Sequence, residues 1–421
     1  MTNLKNMNQL SRELFMKATA AACLGVTSSF NSTSYAESNT SPKRKKIVRV
    51  FTYGGMSHLD SFDPKPNSPQ VMGDTKVIPT SNDDQISHFF PKIAKSLDKM
   101  TLIRGMSSSE ADHSRAQYLM QTSYPRLGTV LHPSLGAWYQ KLNGKGNDDL
   151  PASVGIQSKH NYSGYLGSEF NVFSVGNPKE PLRGLIDENV KSDGYQKYLK
   201  YVTLLNKGFH SEYGKFRDLE AYRNLHNSSM KFMHSKELEA FDLNKASKED
   251  LKKYNIPFGS SFLLAKQLLK ANVQYITLGL GNWDHHYYIW DGKFAKQANE
   301  LDTAFTVFME DLIQEGLWDN TILALNNEFG RTPSIGSELG RSHYNKAFSS
   351  IICGAGVKKG YIHGKTDETA SKVIEGKVTP QDFNATLAKL VGLDLEKEIY
   401  SPDNRPFTVS RGGKVIDELL I

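Results

Sequence analysis

The sequence predicts an α/β fold, a mostly parallel sheet with helices on both faces. Three observations carry that expectation. Short apolar runs of strand length alternate with segments of helical period. Apolar strands set between helices belong to sheets covered on both sides. The carboxyl ends of these runs empty into loops holding Gly, Asp, Glu and His, and in open α/β sheets ligands bind at those ends.

Ile47 to Tyr53 reads as the first strand, closed by Gly54-Gly55. Thr101 to Met106 is a short second strand, followed by a helical pattern from about Ser114 to Thr122. Phe262 to Ala271 has amphipathic spacing and leads into a strand over Val273 to Gly279. Phe294 to Gly316 is a long helix with a glycine stop. Thr321 to Leu325 is the next strand, Ser349 to Gly354 another, and Gln381 to Val391 a late helix. Residues 141–260 lack this alternation and are rich in Asn, Lys, Tyr and Ser. They read as a large, partly helical insertion or cap, the place to look for substrate selectivity. No internal repeat is present, and residues 47–421 are expected to form one domain.

At 38% hydrophobic and 23% charged, the 421 residues suit a soluble globular protein. No run of eighteen apolar residues exists, so no integral membrane span is expected. Residues 1–36 read as an export signal: Lys5, Arg12 and Lys17 precede a weakly apolar stretch, and Ser34-Tyr35-Ala36 suits cleavage. Ser11 to Lys17 is twin-arginine-like, with Glu13 where the second Arg should stand. A periplasmic or secreted location follows. Residues 37–46 form a basic linker ending in Lys43-Arg44-Lys45-Lys46. Residues 1–46 hold seven basic and two acidic side chains, so they carry +5 of the chain's +6. The remainder has no basic excess of the kind nucleic acid requires. Cys23 lies in the presumed signal, which leaves Cys353 alone and excludes an internal disulfide in the mature chain.

The chemistry gathers after four strands. The first is followed by Gly54-Gly55-Met56-Ser57-His58-Leu59-Asp60, the second by Glu110-Ala111-Asp112-His113. The strand ending at 279 is followed by Asn282-Trp283-Asp284-His285-His286. The strand ending at 325 leads to Glu328 and Arg331, then Arg341 and His343, all within sixteen residues. In a parallel sheet these four ends share one rim. Clustered carboxylates and imidazoles suit a divalent ion: zinc, manganese, calcium or magnesium. Such an ion polarises a phosphoryl-type oxygen. Arg331 and Arg341 offer planar recognition of an oxyanion. His113 or Ser114 opens a helix, where the dipole favours anions. His88, His132, His160, His210, His226, His234 and His363 read as surface or structural, Trp283 as packing, and Asp63-Pro64 as a turn former.

These motifs resemble a known family. Residues 54–66, Trp283-Asp284-His285-His286, Glu328-Phe329-Gly330-Arg331-Thr332-Pro333, Gly340-Arg341-Ser342-His343 and Gly364-Lys365-Thr366-Asp367-Glu368 are similar to the DUF1501 proteins. So are Pro133-Ser134-Leu135-Gly136 and the unit from Phe258-Gly259 to Leu278. That family is of unknown function and exported in bacteria. It resembles in turn the alkaline phosphatase/sulfatase superfamily, which implies an alkaline-phosphatase-like architecture. By that resemblance Glu328 takes the place of a metal-binding Asp and Phe329 the place of a His. Met120 to Pro125 resembles the segment following the nucleophile helix and puts His113 at the nucleophile position, with Ser114 beside it. No Cys-x-Pro-Ser-Arg core is present.

The expected function is metal-dependent hydrolysis of a phosphate or sulfate ester, on a small molecule or polysaccharide. His58, Asp60, Asp284, His286, Glu328 and His343 are the metal candidates. His113, Ser114, Arg331 and Arg341 are the catalytic candidates. The alternative is a surface or periplasmic binding protein that keeps the fold and lacks turnover.

Overall fold

The protein is described here from a computed structural model, which covers residues 44–182 and 235–421 together with residues 194, 197, 201, 229 and 231–233. The expected export signal, most of the basic linker, and His210, His226 and His234 lie outside the described residues.

Among the described residues, eight strands form the main sheet: β1 (Lys46–Thr52), β2 (Met100–Met106), β3 (Ser153–Ile156), β4 (Phe173–Val175), β5 (Tyr275–Leu280), β6 (Thr321–Asn326), β7 (Phe348–Gly354) and β8 (Tyr361–His363). Their spatial order is β8-β2-β7-β6-β1-β5-β3-β4. β1 lies at the centre, parallel to β5 and β6. β3 is parallel to β5 and β4, and β8 to β2. β7 alone among these strands runs the other way, antiparallel to both β6 and β2. The carboxyl ends of β1, β2, β5 and β6 therefore share one rim, and the start of β7 meets them there. The α/β, mostly parallel class expected from the sequence is the class observed.

One expectation changes. Residues 141–260 were set apart as an insertion or cap, yet β3 and β4 belong to the main sheet. The strands are four and three residues long, too short for an alternation pattern to stand out in a polar surrounding.

Alternate residues of each strand feed two cores. On one face Val48, Val50, Leu278, Leu323 and Ile351 pack with Phe262, Leu264 and Leu268 of helix Gly259–Lys270 and with Phe305 and Phe308 of helix Lys293–Gln314. On the other, Ile47, Phe51, Ile322 and Ile352 pack with helices Leu135–Asn143 and Pro380–Leu390 and with Met120 of helix His113–Thr122. In chain order these five helices are α1 (113–122), α2 (135–143), α3 (259–270), α4 (293–314) and α5 (380–390). Phe305 and Phe308 are fully buried, and at about 25 cal/mol per Å² each such ring contributes roughly 2–3 kcal/mol.

A cation sits in the middle of the second face. Arg49 of β1 is fully buried. Its Nε donates to Asn326 Oδ1 at 2.8 Å and its Nη2 to the Met120 carbonyl at 2.9 Å. Met120 lies in the last turn of α1, where free carbonyls make the negative end of the helix dipole. Asn384 of α5 donates to the same carbonyl at 2.9 Å. Arg49 therefore fixes the carboxyl end of α1 over β1, and its charge is matched by the helix terminus. Arg49→Leu is expected to cost about 3 kcal/mol, read as a lower urea midpoint.

His132 is buried and stacks on Tyr124 at 4.3 Å between ring centres. Burial, then the nearby Arg411 and Arg405, push its imidazole down to about 4. The unfolded chain binds that proton below about 6.5, so the stability from neutral His132 is whole above 6.5 and declines as pH falls toward 4. Urea midpoints measured from pH 7 to 4 should fall less steeply in His132→Phe than in the parent.

Candidate functional site

The site is built around a carboxylate. Glu328, two residues beyond β6, is fully buried. Its Oε1 accepts from the Gly54 backbone N–H at 2.8 Å, from His113 Nδ1 at 2.8 Å and from Gln117 Nε2 at 3.0 Å. Gly54 follows β1, and His113 and Gln117 stand four apart on one face of α1. One carboxylate thus joins the ends of two strands and a helix start.

The backbone at 54–55 is glycine for a steric reason. Gly54 has φ +115°, and a Cβ there would lie 2.6 Å from the Asp284 nitrogen. Gly55 has φ +70°, and a Cβ would lie 2.6 Å from the Phe329 ring. Both conformations favour glycine. This closeness lets the loop after β5 fold against the end of β1, where Trp283 N donates to the Tyr53 carbonyl at 3.0 Å. Trp283 is buried in the core, and its neighbour Asp284 is turned to the rim.

Asp284 meets three imidazoles. Its Oδ1 lies 2.9 Å from His286 Nε2 and 3.3 Å from His343 Nε2, and its Oδ2 lies 3.3 Å from His113 Nε2. His286 and His343 face each other, Nε2 to Nε2, at 3.0 Å. His343 is carried by a two-stranded ribbon in which it pairs with Arg331. Its Nδ1 lies 3.0 Å from the Ala111 carbonyl; a carbonyl only accepts, so Nδ1 carries the proton and Nε2 presents a lone pair. Glu328 sets His113 in the same way. The free donor atoms of His113, Asp284 and His343 all lie within 4.8 Å of one another. His113 Nε2 is buried and has no hydrogen-bond partner.

The electrostatics agree with the contacts. Burial would raise the Asp284 carboxyl, but hydrogen bonding from Arg331 and the charges around it hold it at about 2. Burial would lower His113, and its hydrogen bond to Glu328, with the charges of Glu328 and Asp284, outweighs that and raises it. His343 is lowered, first by burial and then by Arg331 and His113. Asp284 is an anion throughout the physiological range, and three imidazole nitrogens crowd it.

The structure brings together Asp284, His286, His343, Glu328 and His113 from the sequence-derived set, with Glu328 behind His113. It places the others elsewhere. Asp60 is fully buried and paired with Arg341, Oδ2 to Nε at 2.7 Å, and it also accepts from Ser57 and Thr75 at 2.5 Å. Arg341 spends its remaining donors on the carbonyls of Val71 at 2.6 Å, Pro333 at 2.7 Å and Thr332 at 3.1 Å. Arg331 binds the carbonyls of Gly54, Gly55 and Arg341 and the carboxylate of Asp284. Neither guanidinium is free to clamp an anion. His58 is buried, with Nε2 3.0 Å from the Ala370 carbonyl. Ser114 is exposed on the outer side of α1, and Arg126 Nη1 lies 3.3 Å from its Oγ.

Three residues escaped the sequence reading. Gln117 holds Glu328, and His160 Nε2 lies 3.1 Å from Gln117 Oε1. Arg126 is exposed and reaches Ser114 in the first turn of α1. Helical spacing from His113 could have marked Gln117; nothing in the sequence links His160 to it. Phe329 is buried and packs on both His113 and His343, at 4.8 and 4.9 Å between ring centres.

Fold and site together define an α/β protein whose strand-end rim carries a histidine–carboxylate cluster close enough to share a metal ion. The chain belongs to the family described as a protein of unknown function, DUF1501, whose model matches residues 44–420. No curated protein matches it in sequence. Among solved structures it is similar to a lipoteichoic acid synthase from Listeria monocytogenes, at 10% identity over 91% of this chain and 79% of that one, TM-score 0.41. It is also similar to an alkaline phosphatase superfamily protein from Vibrio parahaemolyticus, at 10% identity over 91% and 76%, TM-score 0.38. A sulfatase from Pseudoalteromonas sp. matches at 12% identity over 88% and 73%, TM-score 0.41. No helix among the described residues is long and apolar enough to cross a membrane.

Gly54→Ala forces a Cβ against the loop that carries Asp284. A stability loss of about 1–3 kcal/mol is expected, with a thermal midpoint clearly below that of the parent protein.

Proposed function

We propose that the protein is an exported, metal-dependent hydrolase of phosphate or sulfate esters. One observation carries the reading: two imidazole Nε2 atoms face each other at 3.0 Å across a carboxylate oxygen. Lone pairs so placed repel unless a proton or a cation lies among them, and His343 has its proton on the far nitrogen. The donor set fits a divalent ion. His113, Asp284 and His343 would hold it, with His286 against them. Nitrogen and oxygen donors in that mixture suit zinc or manganese.

A divalent ion there supplies Lewis acidity toward an ester oxygen. Glu328 Oε1 keeps the proton on His113 Nδ1 and fixes the ring, the arrangement by which a carboxylate behind a histidine strengthens it as a ligand. Gln117 and the Gly54 N–H hold Glu328 in place. Arg331 restrains Asp284 from the other side. Ser114 stands one residue from His113 at the start of α1, with Arg126 Nη1 3.3 Å from its Oγ, and this pair would bind the anionic group of the substrate. Hydrolysis breaks the P–O or S–O bond, and water supplies a hydroxyl to the acid and a proton to the alcohol. Export rests on residues 1–36, and the substrate would then be met outside the cytoplasm.

A second reading has its own observation. Phe329 fills the space beside His113 and His343 with an apolar ring, where the superfamily resemblance implies another ligand. A binding protein that keeps an ion without turnover would look the same.

Protein loaded with zinc or manganese and then dialysed is expected to retain one ion per chain by elemental analysis. His343→Ala should lose it, and Glu328→Gln should bind it about 10–100-fold more weakly. Turnover of aryl phosphates or aryl sulfates should vanish in Asp284→Ala. Retained ion without turnover selects the binding reading. No retained zinc, manganese, calcium or magnesium sinks both.

A further inference from the structure

A cavity of about 410 Å³ opens on the same rim, between the ends of β3 and β5 and the start of α3. Its volume falls within the range of small-molecule pockets, roughly 300–1,000 Å³. Among the described residues its polar lining is almost entirely uncharged: Gln157, Asn177, Ser260, Ser261 and Asn282, with Lys179 as the one charged group and Phe258 as the aromatic one. Ser261 Oγ donates to Gln157 Oε1 at 3.0 Å, which turns the Gln157 amide N–H₂ outward. Among the described residues, the side chains of Ser260 and Asn282 have no hydrogen-bond partner. Amides and hydroxyls of this kind both donate and accept.

The backbone is strained around this cavity. Gln157 at φ +52°, Phe258 at φ +61° and Asn282 at φ +73° all adopt the left-handed region, which is rare for a residue as bulky as Phe. Such strain gathers at binding sites.

Two segments tie the cavity to the cluster. The turn after β3 places Gln157 in the cavity and His160 on Gln117, which holds Glu328. The loop after β5 places Asn282 in the cavity and Asp284 in the cluster, two residues and at most about 7 Å away along the chain. The cavity wall and the cluster thus share the loop after β5, with Asn282 lining one and Asp284 standing in the other.

We propose that this cavity is the subsite for the alcohol portion of the ester, and that it takes a neutral, polyhydroxylated group, a sugar unit. The assignment deepens the hydrolase reading and rests on it for the word "alcohol"; sugar binding itself does not need the ion. Phe258 offers an apolar face and the amides and hydroxyls offer both hydrogen-bond senses, which a sugar ring demands together. A carboxylate- or phosphate-bearing occupant would call for more than one cation in the lining.

Saturation-transfer NMR on the full-length protein, with the methyl glycosides of glucose, galactose and mannose as probes, tests it. Transfer to at least one glycoside is expected, lost in Ser260→Trp, which fills the cavity from a half-buried helix position. Asn177→Tyr, at an exposed position on the cavity wall, should weaken it at least fivefold and serves if Ser260→Trp does not fold by thermal denaturation. Transfer should be unchanged in protein stripped of zinc and manganese by a chelator. If the protein holds no ion and turns nothing over, the hydrolase reading fails while glycoside binding still stands or falls by itself. No transfer with any glycoside, or undiminished transfer in the folded cavity variants, overturns the proposal.

Discussion

The buried carboxylate of Glu328 is the constraint on which the rest of the rim depends. A carboxylate taken out of water costs several kcal/mol unless donors replace the lost hydration. Three donors do so here for its Oε1, from Gly54, Gln117 and His113, and they come from the end of β1 and the start of α1. Each donor fixes something else. The Gly54 amide brings the glycine turn against the Asp284 loop, and His113 presents its other nitrogen to Asp284. Removing the acid would leave these donors unpaired and release His113 from its orientation. The opposite end of α1 is fastened by Arg49 and Asn384 through the Met120 carbonyl. The helix is therefore held at both termini, and His113 can move neither along nor about its axis without breaking buried hydrogen bonds.

The two arginines show how a functional-looking motif can be structural. Arg331 and Arg341 both come from charged turns after strands, the places where ligand-binding groups belong. Both are fully buried. Most of their hydrogen bonds go to backbone carbonyls, nearly all of them in loops without regular secondary structure to satisfy them. They are struts for the rim. Asp60 serves as the counter-ion of Arg341 and so is withdrawn from chemistry, although it sits in the same glycine-rich turn as Gly54.

Much of this was legible in the sequence. β1, β5, β6 and β7 are long and apolar enough to declare themselves, as are α3 and α4 with their clear periodicity. Asp284, His286 and His343 stand in loops after such strands, so their convergence followed from a parallel sheet. β3 and β4 were hidden by their shortness. The Asp60–Arg341 pair was hidden by distance, since 281 positions separate its members. A charge in a loop reads the same whether it faces a ligand or a buried partner, and only the three-dimensional neighbour decides. His160 belongs to this class too, since its contact with Gln117 depends on a left-handed turn after β3 that no pattern announces.

The reversed strand β7 has a consequence for how this rim can vary. Because β7 runs against β6, the chain leaves the sheet and returns to it on one edge, as a closed excursion from Asn327 to Ala347. Both its feet are pinned: one by Arg331, the other by His343, paired across the short ribbon. Beyond the ribbon the chain is largely exposed from 334 to 339. Extra length in such a closed loop costs only about 0.6 kcal/mol for each doubling. Residues 334–337 can therefore lengthen or change while the feet stay where they are; the Glu338 and Leu339 carbonyls are held by the Tyr288 and Ile289 N–H groups at 2.8 and 3.0 Å.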